Sequence, residues 1–286
     1  MNNFNNRLKT LIFMSTLTVL VIMAGSTLGG KTGMLVALVI AAVMNFSTYW
    51  LSDKLAISMT KSVPLDKNHY SYLYKMVERL TENAKMPMPR LYLTPSQQPN
   101  AFATGRNPEN AAVAVTEGLL RILDHEELEG VIAHELAHIK NRDTLISTLA
   151  AVMAGVITTL ANWAQWALLF GGMGGSDEEG EGAGGLAALP LIILGPIAAM
   201  LVQMAISRSR EYMADTTGAK IAGNSRGLAN ALLKLEQASK VLPMNVNPAA
   251  SHLFIVNPFT AQKMLSLFST HPPIGDRVQK LRSLSY

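Results

Sequence analysis

The sequence contains no cysteine. That absence excludes disulfide bonds, thiolate metal ligands and a cysteine nucleophile, and it leaves the redox compartment open. Charge is scarce too: Asp, Glu, Lys and Arg make up 15% of the 286 residues, where soluble domains average about a quarter. With 49% hydrophobic residues and a positive mean hydropathy, part of the chain is expected in lipid. The net charge of +4 is too small for a nucleic-acid footprint. Neither a recognition-helix signature nor an aromatic-and-basic single-strand pattern accompanies it, so no nucleic-acid partner is expected. Internal repeats are lacking as well.

What is abundant is long apolar sequence. A spanning helix needs about 20 mostly apolar residues, and four stretches qualify: 11–28, 34–51, 144–170 and 186–206. The first has a basic start and the small residues Ala24, Gly25 and Ser26, as a signal peptide would. Its apolar run is long, however, and a second follows closely, so an uncleaved hairpin is expected. Trp50 with Tyr49, and Trp163 with Trp166, suit interfacial belts. Pro190, Gly195 and Pro196 are expected to kink the fourth helix. Arg7, Lys9, Lys54, Lys61, Lys140, Arg142, Arg208 and Arg210 all fall on one side of a four-span arrangement. The other side holds Lys31 and the loop "GGMGGSDEEGEGAGG", which has no basic residue. The positive-inside rule therefore puts both termini and both polar segments in the cytoplasm.

The expected organisation is a transmembrane hairpin in 1–51, a first polar part in 52–143, a second hairpin in 144–206 and a second polar part in 207–286. The two polar parts are long enough to share one core. "PRLYLTPS" and "AAVAV" read as strands. Helices are expected over Tyr70–Ala84, Asp124–Asn141, Ser207 to about Ala222, and "SRGLANALLKLEQASKVL".

Asp124 followed by Glu127 is a capping-box pair, so the third apolar region is entered from a helix that starts there. That helix carries "HELAHIKNRD". His134 and His138 are four apart and share a face, so two imidazoles can converge on one Zn²⁺. Glu135, beside the first histidine, can reach an attacking water without being a ligand. About 0.006 chance matches to H-E-x-x-H are expected at this composition. Ile132, Leu136, Ala137 and Ile139 make the helix apolar nearly all round. A buried helix must supply partners for two histidines and a glutamate, which argues against a merely solvated end.

A third protein ligand is needed if one metal position is to stay open. "SRSREYMADTTG", just past the fourth span, offers Glu211 and Asp215 on one helix face. Glu211 is the candidate ligand, and Asp215 a candidate acceptor for the second N–H of a ligand histidine. Otherwise this is a helix whose charges begin outside the bilayer, as Arg208 and Arg210 are taken to do. His138 precedes Thr144 by six residues and Glu211 follows Ile206 by five. At 1.5 Å per residue both lie within about 10 Å of an apolar boundary.

These motifs, with "QPNAFATGRNPENAAVAVTEGLL" and "STHPPIGDRVQKL", resemble the HtpX family of membrane zinc metalloproteases, relatives of the type I CAAX prenyl proteases. The likeness runs over nearly the whole chain. It implies a mainly α integral membrane protein with four transmembrane helices and an α+β gluzincin-like protease domain. It further implies a multi-pass endopeptidase of the bacterial inner membrane, acting on its cytosolic side in a stress response. Its partners would be the lipid bilayer and unfolded or damaged membrane and cytosolic-face polypeptides. By motif, the resemblance makes His134, His138 and Glu211 ligands of one Zn²⁺ and Glu135 catalytic. Asn100, Ala101 and Phe102 would line the cleft, with Ala112, Val113, Ala114 and Val115 as an edge strand to which an extended substrate adds. A polar turn leading into a core strand is the plainer reading of that stretch. His271 and Arg277 would approach the metal and stabilise an oxyanion; otherwise they sit in a helix-start loop.

His69 and His252 fit packing or solvent roles, and His125 the first turn of the metal helix. The sixteen methionines fall mostly on apolar faces. A narrow-specificity processing peptidase is one alternative. A zinc-stabilised scaffold or chaperone is another, but it has no need of Glu135. A transporter would use Asn45, Gln165 and Gln203, yet no charged residue lies mid-span.

Overall fold

In a computed structural model of the chain, the structure describes residues 2–171, 210–241, 254–255 and 272–284. The fourth apolar stretch with Pro190, Gly195, Pro196 and Gln203, the acidic loop from 172, Arg208, His252 and His271 lie outside the described residues. Among those described, three helices are long and apolar enough to cross a membrane: Leu8–Thr27, Gly29–Trp50 and Asp143–Trp163.

The first two belong to α1 (Asn2–Trp50), which is broken at Gly29 (φ −143°, ψ 19°) and Gly30 (φ 55°, ψ −139°). The second combination is one that only glycine adopts at low cost. Two adjacent glycines thus reverse the chain, and the second apolar helix runs on from them to Trp50. Leu11 (64% exposed), Val39 (64%) and Phe46 (61%) point away from the protein, as lipid-facing side chains do. The third apolar helix opens α6 (Asp143–Gly171), which packs against α1.

A short α2 (Ser52–Met59) and the two-residue β1 (Val63–Pro64) lead from the hairpin into the polar part. There α3 (Ser71–Ala84) buries Leu73, Met76, Val77, Leu80 and Ala84, the three-and-four spacing of one helix face. β2 (Arg90–Thr94), β3 (Ala101–Gly105) and β4 (Ala111–Thr116) complete a four-stranded sheet of order β1-β2-β4-β3. β4 runs parallel to β2, and β3 runs antiparallel to β4 with Phe102 opposite Ala114.

This order corrects the expectation for Ala112, Val113, Ala114 and Val115. They lie in an interior strand, flanked on both sides, and all six β4 residues are buried. "AAVAVT" has no polar alternation, the signature of a strand buried on both faces rather than of an edge. The terminal strands among the described residues are β1 and β3, and β3 is the stretch expected as cleft lining or a turn.

After α4 (Glu117–Ile122) comes α5 (His125–Asn141). Its capping box is formed as expected: Glu127 N–H donates to Asp124 Oδ1 at 2.9 Å, and Asp124 N–H donates to Glu127 Oε2 at 3.0 Å. Lys234 on α8 (Arg226–Val241) donates to the same Glu127 at 2.6 Å, tying those helices together at one end. α5 is the axis of the polar part, packed by α3, α8, the sheet and a helix over 210–222, here α7. It ends at Arg142, which takes the left-handed conformation (φ 59°) and closes the last turn onto His138 O and Ile139 O. α6 begins at the next residue, so no linker separates the motif helix from the third apolar helix. The last element is α9 (Ile274–Arg282).

Candidate metal centre

His134 and His138 come from successive turns of α5, and their rings meet edge to face with centroids 4.7 Å apart. Their Nε2 atoms are 3.1 Å apart. Glu211 on α7 lies across from both, with Oε2 3.6 Å from His134 Nε2 and Oε1 3.6 Å from His138 Nε2. Donors about 2.0–2.1 Å from a tetrahedral zinc stand roughly 3.3 Å from one another, and these separations bracket that value. The three residues form a metal-capable group. His134 is sealed, whereas the His138 side chain keeps 16% exposure, so the open side lies toward His138.

The outer nitrogens of both rings face carboxylates. Asp215 Oδ1 is 3.0 Å from His134 Nδ1, and Asp143 Oδ2 is 3.5 Å from His138 Nδ1. A carboxylate can only accept, so it selects the ring form with hydrogen on Nδ1. Arg277 Nη2 points at His134 Nε2 from 3.4 Å, and a guanidinium only donates, which selects the same form. Two Nε2 lone pairs then face each other across 3.1 Å, an arrangement that a cation between them resolves. Without metal, a proton takes that place. Burial works against a charged His138, but the Asp143 contact and the Glu211 and Glu135 charges outweigh it and push its pKa up to about 9. Burial keeps the His134 pKa below normal, despite Asp215.

Glu135 is buried beside this group. Burial pushes its pKa up to about 7, with Glu211 adding to the effect, while His138, the Ala103 N–H and Arg277 pull it down. That N–H belongs to β3, so the terminal strand and the glutamate are in direct contact. A buried carboxyl that titrates near neutrality can both accept and return a proton.

Arg277 comes from α9 and is completely buried. It donates to Asp215 through Nε (2.9 Å) and Nη2 (2.7 Å), and its Nη1 lies 3.2 Å from Glu211 Oε2. Burial disfavours its charge, but the Asp215 and Glu211 carboxylates hold its pKa above the usual range. Burial also opposes ionisation of Asp215, and Arg277 with His134 more than compensates, holding its pKa below the usual carboxylate value.

The approach of α7 to α5 is set at Gly218, where an added Cβ would lie 2.9 Å from the backbone N and Cα of His134. Glu211, Asp215 and Gly218 follow at i, i+4 and i+7, one face of the helix. Arg210, just before Glu211, is buried and donates through Nη1 to the Asp143 carbonyl at 3.1 Å. It is therefore a clasp between α7 and α6 rather than only a marker of topology.

The cleft candidates divide. Asn100 is buried, takes its own N–H to Thr116 Oγ1 and accepts Thr116 N–H, so it anchors the start of β3. Ala101 accepts the Ile255 N–H at 3.2 Å, and Phe102 stacks edge-on against Phe254 with centroids 5.3 Å apart. At the other end of β3, Gly105 O accepts from Thr144 Oγ1 at 2.6 Å. Arg106, the next residue, lies 4.4 Å over the Trp50 ring, so β3 runs from the metal group to the end of the second apolar helix.

Sequence reading missed Asp143, Arg210, Gly218 and the Ala103 amide. Asp143 had a visible signal, an acidic residue directly before an apolar helix, but it served only to mark a boundary. Gly218 and Ala103 act through backbone proximity, which one sequence does not display.

A family model described as "Peptidase family M48" matches residues 67–285. A protease HtpX homolog of Pelotomaculum thermopropionicum is 58% identical over 98% of this chain and 99% of its own length. A protease HtpX homolog of Thermococcus sibiricus is 53% identical over 97% and 96%. Among solved structures, the crystal structure of S. mikatae Ste24p superposes with a TM-score of 0.55 at 18% identity. That match covers 98% of this chain and 66% of Ste24p, and it bears on the fold alone.

Proposed function

Because the chain belongs to peptidase family M48, as an HtpX-type metalloprotease, we propose that it is a zinc-dependent endopeptidase. It works at the cytosolic face of the bacterial plasma membrane and cleaves misfolded or damaged membrane proteins as part of a stress response. The supporting observation is the convergence of His134, His138 and Glu211 beside Glu135, at the foot of the α6 membrane helix. In this reading the hairpins anchor the chain and the polar parts 52–143 and 207–286 form one protease domain.

His134, His138 and Glu211 would hold one Zn²⁺, which when bound supplies Lewis acidity and a nucleophilic water near neutral pH. Glu135 takes the proton of the attacking water and returns it to the leaving amine. Asp215 fixes the His134 tautomer. Arg277 holds Asp215 and Glu211 in place, and its positive charge beside His134 favours negative charge developing on the scissile carbonyl. His271 is the second candidate for that role. A substrate in extended form pairs with β3, through backbone bonds that make little demand on sequence. Asn100, Ala101 and Phe102 shape one end of that edge.

The test is to strip metal from the full chain in detergent, restore zinc, and follow degradation of casein and of an unfolded membrane protein. Zinc-dependent cleavage of both is expected. Cleavage confined to a prenylated peptide would move the assignment to a processing peptidase. Zinc binding with no cleavage of any of the three would leave a scaffold.

A further inference from the structure

Asp143 occupies a place that the chemistry above does not assign. Asp143 is 1% exposed, and among the described residues neither of its carboxylate oxygens makes a conventional hydrogen bond. A buried carboxylate without a donor is costly. The donor facing it is the Nδ1–H of His138, with Oδ2 3.5 Å from that nitrogen. The Asp143 carbonyl meanwhile accepts from Arg210, the residue before Glu211. One residue therefore touches both metal-holding elements: α5 through its side chain, and α7 through its backbone. It does so from the first position of the apolar helix Asp143–Trp163.

We propose that Asp143 is the positioning residue for His138: it holds the ring by Nδ1–H so that Nε2 is presented to the metal, and it fixes that geometry to the foot of the membrane helix. The ring needs such a hold. His138 is the more exposed of the two histidines, and it sits in the last turn of α5, one residue before Ile139 and four before the left-handed Arg142. His134 has Asp215 and the α7 backbone around it; His138 has Asp143. Metal-ligating histidines are generally oriented by such an acceptor, and losing it weakens metal binding about 10- to 100-fold.

A rival account is local to the helix. An acidic residue at a helix N-terminus is favourable by itself, and Asp143 would then stabilise α6 without regard to metal. The two accounts differ in metal affinity. A purely structural residue destabilises the metal-free and metal-loaded protein alike, and leaves the zinc dissociation constant unchanged.

This inference rests on the zinc reading above, and the experiment separates the two. Zinc dissociation constants are measured by competition with a chelating dye on the full chain in detergent, for the parent, Asp143→Ala and Asp143→Asn. The melting temperature of each metal-free form is recorded alongside. Asp143→Ala is expected to weaken zinc binding about 10- to 100-fold. Asp143→Asn keeps an acceptor oxygen and should recover part of that loss. Cobalt substituted for zinc adds a spectroscopic reading, since a loosened His138 shifts the visible absorption of the site in the Ala variant and less in the Asn variant. Should Asp143→Ala fail to fold, the isosteric Asn variant carries the test through its cobalt spectrum and zinc affinity. Dissociation constants within twofold of the parent for the folded variants, with an unshifted cobalt spectrum, would overturn the proposal. A parent chain that binds no zinc would instead overturn the zinc reading itself.

Discussion

Gly218 lies so close to His134 that a methyl group on it would meet the histidine backbone at 2.9 Å. Backbone cannot swing aside as a flexible side chain can, so α7 itself must move if residue 218 grows. Glu211 and Asp215 ride on the same face and move with it. Gly218→Ala is thus expected to cost about 1–3 kcal/mol of stability, the usual range for overpacking, and to weaken metal binding; Gly218→Val should do more of both. Chemical unfolding and zinc competition check this. An alanine variant with unchanged stability and unchanged zinc affinity would show that α7 has slack that the contact distances do not reveal.

Arg277 neutralises two buried carboxylates, Asp215 bidentately and Glu211 at 3.2 Å. Removing one partner of a buried pair leaves the others uncompensated, which costs about 3–5 kcal/mol. Arg277→Ala should lose stability in that range and raise the Asp215 pKa toward or above its ordinary value. Arg277→Lys keeps the charge but not the planar fork, so it should restore only part. Unfolding titrations on the metal-free chain read both. A loss below about 1 kcal/mol for the alanine variant, a size typical of exposed pairs, would mean that water reaches the pair.

Much of this site is visible in the sequence because it is local. The i, i+4 histidines, the adjacent glutamate and the Asp124–Glu127 box are helix-surface relations that spacing alone dictates, and each lies on α5 where expected. Glu211 and Asp215 are legible as a pair for the same reason. What spacing cannot give is which strand is terminal. β3 and β4 are both short and rich in alanine, and their order depends on β2 pairing with β4, a parallel match between segments about 20 residues apart. Nor does spacing show that Arg277 closes the site, since it lies 62 residues beyond Asp215 and arrives by tertiary packing. The Gly29–Gly30 turn is legible only in part: glycines mark a reversal, but not that two of them complete it.

Glu135→Gln separates proton transfer from metal holding. Glutamine is nearly isosteric and is not in the ligand group, so zinc stoichiometry should be retained. Losing general acid–base function should lower cleavage at least about 10²–10⁴-fold. The same variant also reports on pH. A carboxyl whose folded pKa is raised from 4.5 to about 7 holds its proton more tightly folded than unfolded. Its contribution is therefore neutral well below pH 4.5, and stability falls as pH rises through the window from about 4.5 to 7. In the metal-free chain the glutamine variant should lack that part of the decline and gain on the parent as pH approaches 7. Parallel stability–pH curves for the two proteins would mean that the Glu135 pKa is ordinary.

His138 ties metal binding to proton release. In the metal-free protein its pKa is about 9, raised by Asp143, Glu211 and Glu135 against the opposing effect of burial. A group with a raised folded pKa stabilises most below its unfolded value near 6.5, and that contribution disappears as pH climbs through 9. At neutral pH the ring is accordingly protonated, and a metal must displace that proton, because only the neutral imidazole ligates. Affinity for zinc should then rise about tenfold per pH unit up to about 9 and level off above it, provided no other group titrates on binding. Calorimetry at pH 7.5 in buffers of different ionisation enthalpy should find about one proton released per zinc. In Glu211→Gln the charge that holds the proton is weakened, so fewer protons should be released even though a ligand has also been impaired. Zero release from the parent at pH 7.5 would mean that His138 is already neutral there. The facing Nε2 atoms would then be kept at 3.1 Å by something other than the proton assigned to them.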